Sequence, residues 1–252
     1  MKFEMPSVDE WNEIESEYPV EELQTSEDDF GFCLNAGSFE RFGDSANLGI
    51  WVNYLSNRLI RTKWSYVIMI FHFRKGIPDD EWVISPGRRG QSAEYLLHFE
   101  KDDRIRKAQF DYFADIFFFK LYSCFDTIGH LLHMVYDLGL TKPDFHRSVK
   151  KLADVRPDLF EKLNSVVESD GFRDLKEIRH GVAHRELPGH IGGMVTKVSP
   201  SMFTIGTGAY MPSRKVVAIA QQSLRTLVKA MTEIRSQIDL DRSSARLEND
   251  NF

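Results

Sequence analysis

Apolar residues recur at three- and four-residue spacing along most of the chain, the pattern of amphipathic helices. Leu48, Trp51, Val52, Leu55, Leu59 and Ile60 mark the first long stretch and predict a helix over residues 46–75. A second helix is predicted over 103–138. It is apolar around much of its circumference, with Phe110, Phe113, Ile116, Phe117, Phe118, Leu121, Phe125, Ile128, Leu131 and Leu132. A band that wide belongs in the middle of a bundle or at an interface between subunits. Gly139 and then Lys142-Pro143 stop it. Shorter helices are expected at 144–153 and 156–168, the second with Pro157 near its start, where proline is tolerated. A further helix begins near Gly171, with Phe172, Leu175 and Ile178 on its apolar stripe. The last spans 212–238 and carries Val216, Ile219, Leu224, Leu227, Met231 and Ile234.

The segments between have other signatures. Residues 9–17 predict a short helix, 76–90 a Gly/Pro loop and 94–100 a brief extended piece. Over 191–208 the alternation of Met194, Thr196 and Val198, then Met202 and Thr204, predicts a β-hairpin. The expected fold is mainly α: a helical bundle with a small hairpin inserted before the last helix. Its organisation is an acidic N-terminal arm (1–40), a single helical domain (41–240) and a disordered polar tail (241–252).

Composition supports one substantial core, since 42% of the 252 residues are hydrophobic and 12% aromatic. The most apolar run, Trp64–Phe73, has about half the length needed to cross a bilayer, so no membrane span is expected. Cys33 and Cys124 lack metal-type spacing and fit free thiols in a reducing cytoplasm. The acidic N-terminus shows no secretory signal. The net charge of −6 is unevenly spread: residues 1–30 hold eleven acids and one lysine, which leaves the remainder with a positive balance. Such an arm is expected to be solvated and partly mobile, or to shield or mimic a nucleic-acid backbone. The overall acidity argues against indiscriminate nucleic-acid coating, though not against a local phosphate site.

Chemistry concentrates in Arg179-His180-Gly181-Val182-Ala183-His184-Arg185, at the end of a predicted helix. Guanidinium is a planar fork that matches two phosphate oxygens, and imidazole exchanges protons near neutral pH. Metal-free RNA cleavage needs a base for the ribose 2′-hydroxyl, an acid for the leaving 5′-oxygen and a cation for the phosphorane. On an ideal helix Arg179 and His184 stand about 140° apart, so one copy of the motif is half a site. The same spacing recurs at Arg185 and His190 across Leu187-Pro188-Gly189, which no continuous helix spans.

These residues, on a helix that follows an aromatic-rich one carrying Asp126, resemble the HEPN superfamily. Its members are small helical bundles found in toxin–antitoxin, phage-defence and RNA-processing systems. The resemblance covers residues 105–238, with Arg179, His180 and His184 in the places of the Arg, polar and His positions of the family motif. It implies a metal-independent endoribonuclease working as a homodimer whose two motifs share a cleft. RNA is the implied substrate, with Arg179, His184 and His180 catalytic and no cofactor. It also implies a possible antitoxin or nucleotidyltransferase partner. The tyrosine that such a partner modifies in some members is Glu186 in this chain. Other members are inactive modules that bind a nucleotide or a protein, which is the alternative.

Three further sets of residues are candidates. Lys142, His146, Arg147, Lys150 and Lys151 form a basic cluster with Asp144 its only acid. With Arg185 and Asp126, the side chains of Arg147, Lys150 and Lys151 are expected to contact substrate. Asp126, His130 and His133, joined by His180 and His184, could instead hold a metal inside the bundle. Arg88-Arg89 is a basic loop tip between glycines. No phosphate-binding glycine loop, dinucleotide fingerprint or nucleophile elbow occurs, so kinase, dehydrogenase and hydrolase-fold chemistry is unsupported.

Overall fold

The computed structural model describes residues 4–26, 29, 39–184, 191, 193–199, 202–207 and 210–249. Seven helices occur among them: α1 (Val8–Glu15), α2 (Phe39–Arg74), α3 (Lys101–Val135), α4 (Phe145–Val155), α5 (Pro157–Val167), α6 (Asp170–His184) and α7 (Ser213–Asn249). Two antiparallel two-stranded sheets complete it, β1 (Val83–Ile84) with β2 (Glu94–Tyr95), and β3 (Gly193–Ser199) with β4 (Met202–Thr207). The β3–β4 hairpin precedes the last helix, and the fold is a mainly α bundle.

The breadth of the apolar band on α3 is explained by its neighbours, because it packs against α2, α4, α6 and α7. Phe110, Phe117, Phe118, Leu121, Phe125, Ile128 and Leu131 are wholly buried there. Each such side chain contributes about 1.5–3 kcal/mol through removal from water. The helix ends where Asp137 and Gly139 both take positive φ, which an α-helix cannot continue through. Asp144 then caps α4 by accepting the Arg147 backbone N–H at 2.8 Å, and Pro157 opens α5. No helix among the described residues is long and apolar enough to cross a membrane.

Two features depart from expectation. The acidic N-terminal segment is not a free arm over its described part. Ile14, Val20 and Leu23 are buried in the common core. Glu15 pairs with Lys63 at 3.2 Å, Glu13 with Arg74 at 3.0 Å, and Glu17 and Glu4 with Arg74 and Lys75. Three apolar anchors spaced irregularly among acids carry no helical period, which hid them. The polar tail expected from Asp241 instead continues α7 to Asn249; without Gly or Pro, polarity alone does not end a helix.

Candidate functional site

The site is assembled by three phenylalanines from three helices. Phe125 of α3, Phe145 of α4 and Phe172 of α6 meet with ring centroids 4.9, 5.0 and 5.5 Å apart. Two glycines allow the helices to close around them. A Cβ on Gly129 of α3 would lie 2.4 Å from the Asp144 carbonyl carbon and from the Phe145 nitrogen. One on Gly171 of α6 would meet Thr226 Oγ1 of α7 at 2.2 Å. Ser148 Oγ donates to the Gly129 carbonyl at 2.8 Å, and Ser223 Oγ to that of Gly171 at 3.1 Å.

Phe172 and Arg179 are seven residues apart, so they share one face of α6 about 10 Å apart along its axis. Tyr122 of α3 fills that interval. Its ring stacks on Phe172 at 6.2 Å, and the Arg179 guanidinium lies over it, 5.2 Å from the centroid. This cation–π contact orients the arginine without neutralising it. Among the described residues no carboxylate lies within ion-pair distance of Arg179.

Asp126 stands one turn beyond Tyr122 on α3 and is half-buried. Its carboxyl is pushed up to about 6, first by burial and then by the charge of Asp144, while Arg179 and Arg58 pull it down. The Tyr122 phenol is also raised, by burial and then by Asp126. From α2, Arg58 Nη1 donates to the Ser123 carbonyl at 3.0 Å and to Thr127 Oγ1. Arg179, Tyr122, Asp126, Asp144 and Arg58 thus form one electrostatic unit drawn from α2, α3, α4 and α6.

The raised Asp126 carboxyl has a measurable consequence. The folded chain holds this proton more tightly than the unfolded chain. Stability therefore falls as pH rises from about 4 to about 6, and the penalty is complete above that window. Asp126→Asn is expected to stabilise the chain at pH 7.5 and to lose that advantage at pH 4. Discounted for the solvent that reaches this group, the gain is on the order of 1 kcal/mol. Thermal melts at the two pH values check it, and an equal effect at both would refute the assignment.

The sequence-predicted residues distribute unevenly around this unit. Arg147 joins it through Asp144, with Nε 3.3 Å from Oδ2. Lys150 is exposed on α4, and Lys151 pairs with Asp154 at 2.7 Å. His180 is exposed on α6, and His184 is the last residue of that helix. Arg185, Glu186 and His190 lie outside the described residues, as does the side chain of His184. The Arg88 and Arg89 backbone amides are held by Glu94 and Gln91 in the β1–β2 connection.

The metal-site alternative gains nothing among the described residues, where no three His, Cys, Asp or Glu side chains converge. His130 is committed elsewhere: its ring stacks on Trp51 at 4.2 Å and 12°. Burial lowers its proton affinity and favours the neutral ring.

A sequence model of the Cthe2314-like HEPN family matches residues 51–238, about three quarters of the chain. The chain belongs to the HEPN superfamily. The match begins at Trp51 inside α2, so the HEPN unit includes the helix that supplies Arg58, well before the segment that carries the sequence resemblance. No curated protein and no solved structure matches the chain significantly.

Sequence reasoning singled out Arg179 and Asp126 but missed Tyr122 and Arg58. A signal for Arg58 was present. It lies three and four residues from Leu55 and Thr62, both buried, so a guanidinium sits on the core-facing stripe of α2.

Proposed function

We propose that this HEPN protein is a metal-independent endoribonuclease whose active cleft is shared by two copies of the chain. The observation that carries this reading is the placement of Arg179. Its guanidinium rests on the Tyr122 face beside Asp126, and no described carboxylate occupies its hydrogen-bonding forks. A scissile phosphate offers those forks two oxygens and developing negative charge.

In the proposed reaction an imidazole removes the ribose 2′-hydroxyl proton, and the 2′-oxygen bonds to phosphorus. The bond from phosphorus to the 5′-oxygen breaks as a second imidazole protonates that oxygen. The products carry a 2′,3′-cyclic phosphate and a free 5′-hydroxyl. His184 is the principal acid/base and His180 assists, while Arg179 holds the phosphorane. Because Arg179 and His184 diverge by about 140° on one helix, a second copy across a two-fold axis supplies the missing half. The biological setting we propose is a cytoplasmic toxin–antitoxin or phage-defence system.

The test is incubation of purified protein with structured and single-stranded RNA in excess EDTA. Cleavage with cyclic-phosphate ends is expected, lowered about a hundredfold or more by Arg179→Ala or His184→Ala. Intact RNA in the presence of a folded dimer would assign the protein to the non-catalytic HEPN binding modules. A strictly monomeric active protein would remove the shared cleft from the mechanism.

A further inference from the structure

A shallow hollow of about 260 Å³ opens between α2 and α3, lined by Tyr54, Asn57, Arg58, Arg61 and Lys120. Three of its five lining residues are cationic and none is acidic. The contrast with the cations that follow in sequence is informative. Lys63, Arg74 and Lys75 are all paired with carboxylates of the N-terminal segment. Among the described residues, Arg58, Arg61 and Lys120 have no carboxylate within ion-pair distance. In a chain of net charge −6, a cationic hollow left unneutralised is suited to an anion supplied from outside.

Two details narrow the class of anion. Arg58 is already fixed by its bonds to Ser123 and Thr127, so a guanidinium with five N–H donors keeps an edge for a further acceptor. Tyr54 is 49% exposed, and its ring is braced edge-on by Trp51 at 5.6 Å. A held but uncovered ring beside phosphate-binding cations is a platform on which an unpaired base stacks.

The hollow is linked to the site around Arg179 through Arg58. Arg58 lines it and at the same time acts on the Asp126 carboxyl, as Arg179 does from the other side. Lys120 and Asp126 are six residues apart on α3, about 9 Å along the helix and about 120° around it, so a strand joining the two places winds partly round α3. We propose that this hollow binds the single-stranded RNA flanking the scissile phosphate, with Arg58, Arg61 and Lys120 on the backbone and Tyr54 stacked on a base. The proposal deepens the nuclease reading by giving the substrate's strandedness and its path across the bundle.

Binding can be separated from cleavage with a fluorescent 2′-O-methyl RNA 12-mer, which cannot be cut by 2′-hydroxyl attack. The full chain is expected to bind it with a salt-dependent Kd. Arg61→Ala/Lys120→Ala should weaken binding about tenfold or more at low salt. It should also shallow the slope of log K against log salt by about 1.4, the value for two lost phosphate contacts on a single strand. Tyr54→Ala should weaken binding about fivefold or more with the slope unchanged, since stacking releases no counterions. Tyr54 and Arg61 are exposed and Lys120 partly so, and unchanged thermal melts serve as the folding control.

Wild-type affinity and slope in the double variant would overturn the proposal. So would absence of binding by the wild-type chain, or a double variant whose main defect is loss of dimerisation, which would assign the hollow to a second copy. The nuclease reading fails separately. If binding behaves as expected but unmodified RNA stays intact, the hollow stands and catalysis falls. If RNA is cut while the hollow variants bind normally, the reverse holds.

Discussion

Asp79→Ala is expected to destabilise the chain by about 3–5 kcal/mol, a large share of the 5–15 kcal/mol that holds a typical domain folded. Asp79 is 1% exposed, and its Oδ2 accepts three hydrogen bonds. They come from Tyr210 Oη at 2.6 Å, the Ser213 backbone N–H at 2.9 Å and Ser213 Oγ at 2.8 Å. Ser213 begins α7, so the carboxylate also faces the positive end of that helix's dipole. Beside it Asp80 pairs with Arg214 at 2.6 Å, but that pair is exposed and contributes little. Removing the Asp79 carboxylate leaves three buried donors without an acceptor, each costing about 1 kcal/mol or more. Tyr210→Phe removes a single donor and should cost about 1 kcal/mol. Urea melts of the two variants and the wild type give the ratio. Similar losses for both would show that the carboxylate does not act as the shared acceptor.

That cluster also shows what the sequence could not disclose. Its bonds join positions 131 and 134 apart, and no local pattern announces which aspartate will meet which helix start. The helices themselves were legible because burial imposes a period on them. The apolar circumference of α3 even announced its central place. Where burial rests on a few scattered anchors, as with Ile14, Val20 and Leu23, or on a two-residue ladder such as β1–β2, no period exists to be read.

The site divides in the same way. Arg179 was visible because its motif is contiguous. Tyr122 and Arg58, which orient that arginine and extend its field, come from other helices; Tyr122 carries no signature of its own, and Arg58 only its place as a cation on a buried stripe. Helical geometry supplied one thing the residues alone did not, namely that Arg179 stands two turns above Phe172, so that α3 must provide a ring of the right size between them.

Gly129→Val should separate the role of that scaffold from the role of the charged groups. In α3 a side chain at this position meets the backbone of α4, with Asp144 carbonyl carbon and Phe145 nitrogen only 2.4 Å from the added Cβ. Backbone atoms cannot rotate aside, so α4 must retreat. Retreat opens the Phe125–Phe145–Phe172 cluster and breaks the Ser148 bond to the Gly129 carbonyl. Overpacking of this kind costs about 3 kcal/mol or more. Gly129→Ala meets the same contact but gains about 1 kcal/mol of helix propensity, so its net loss should be smaller. Withdrawal of α4 also carries Asp144 away from Asp126, removing the second cause of that carboxyl's elevation. The Asp126 carboxyl should then titrate below about 6, which NMR of the side-chain carbon reads directly. Ser148→Ala provides the contrast, because it loses the hydrogen bond without displacing the helix and should leave the Asp126 titration in place. A stable Gly129→Val protein with an unchanged Asp126 titration would mean that α4 does not approach α3 through this glycine.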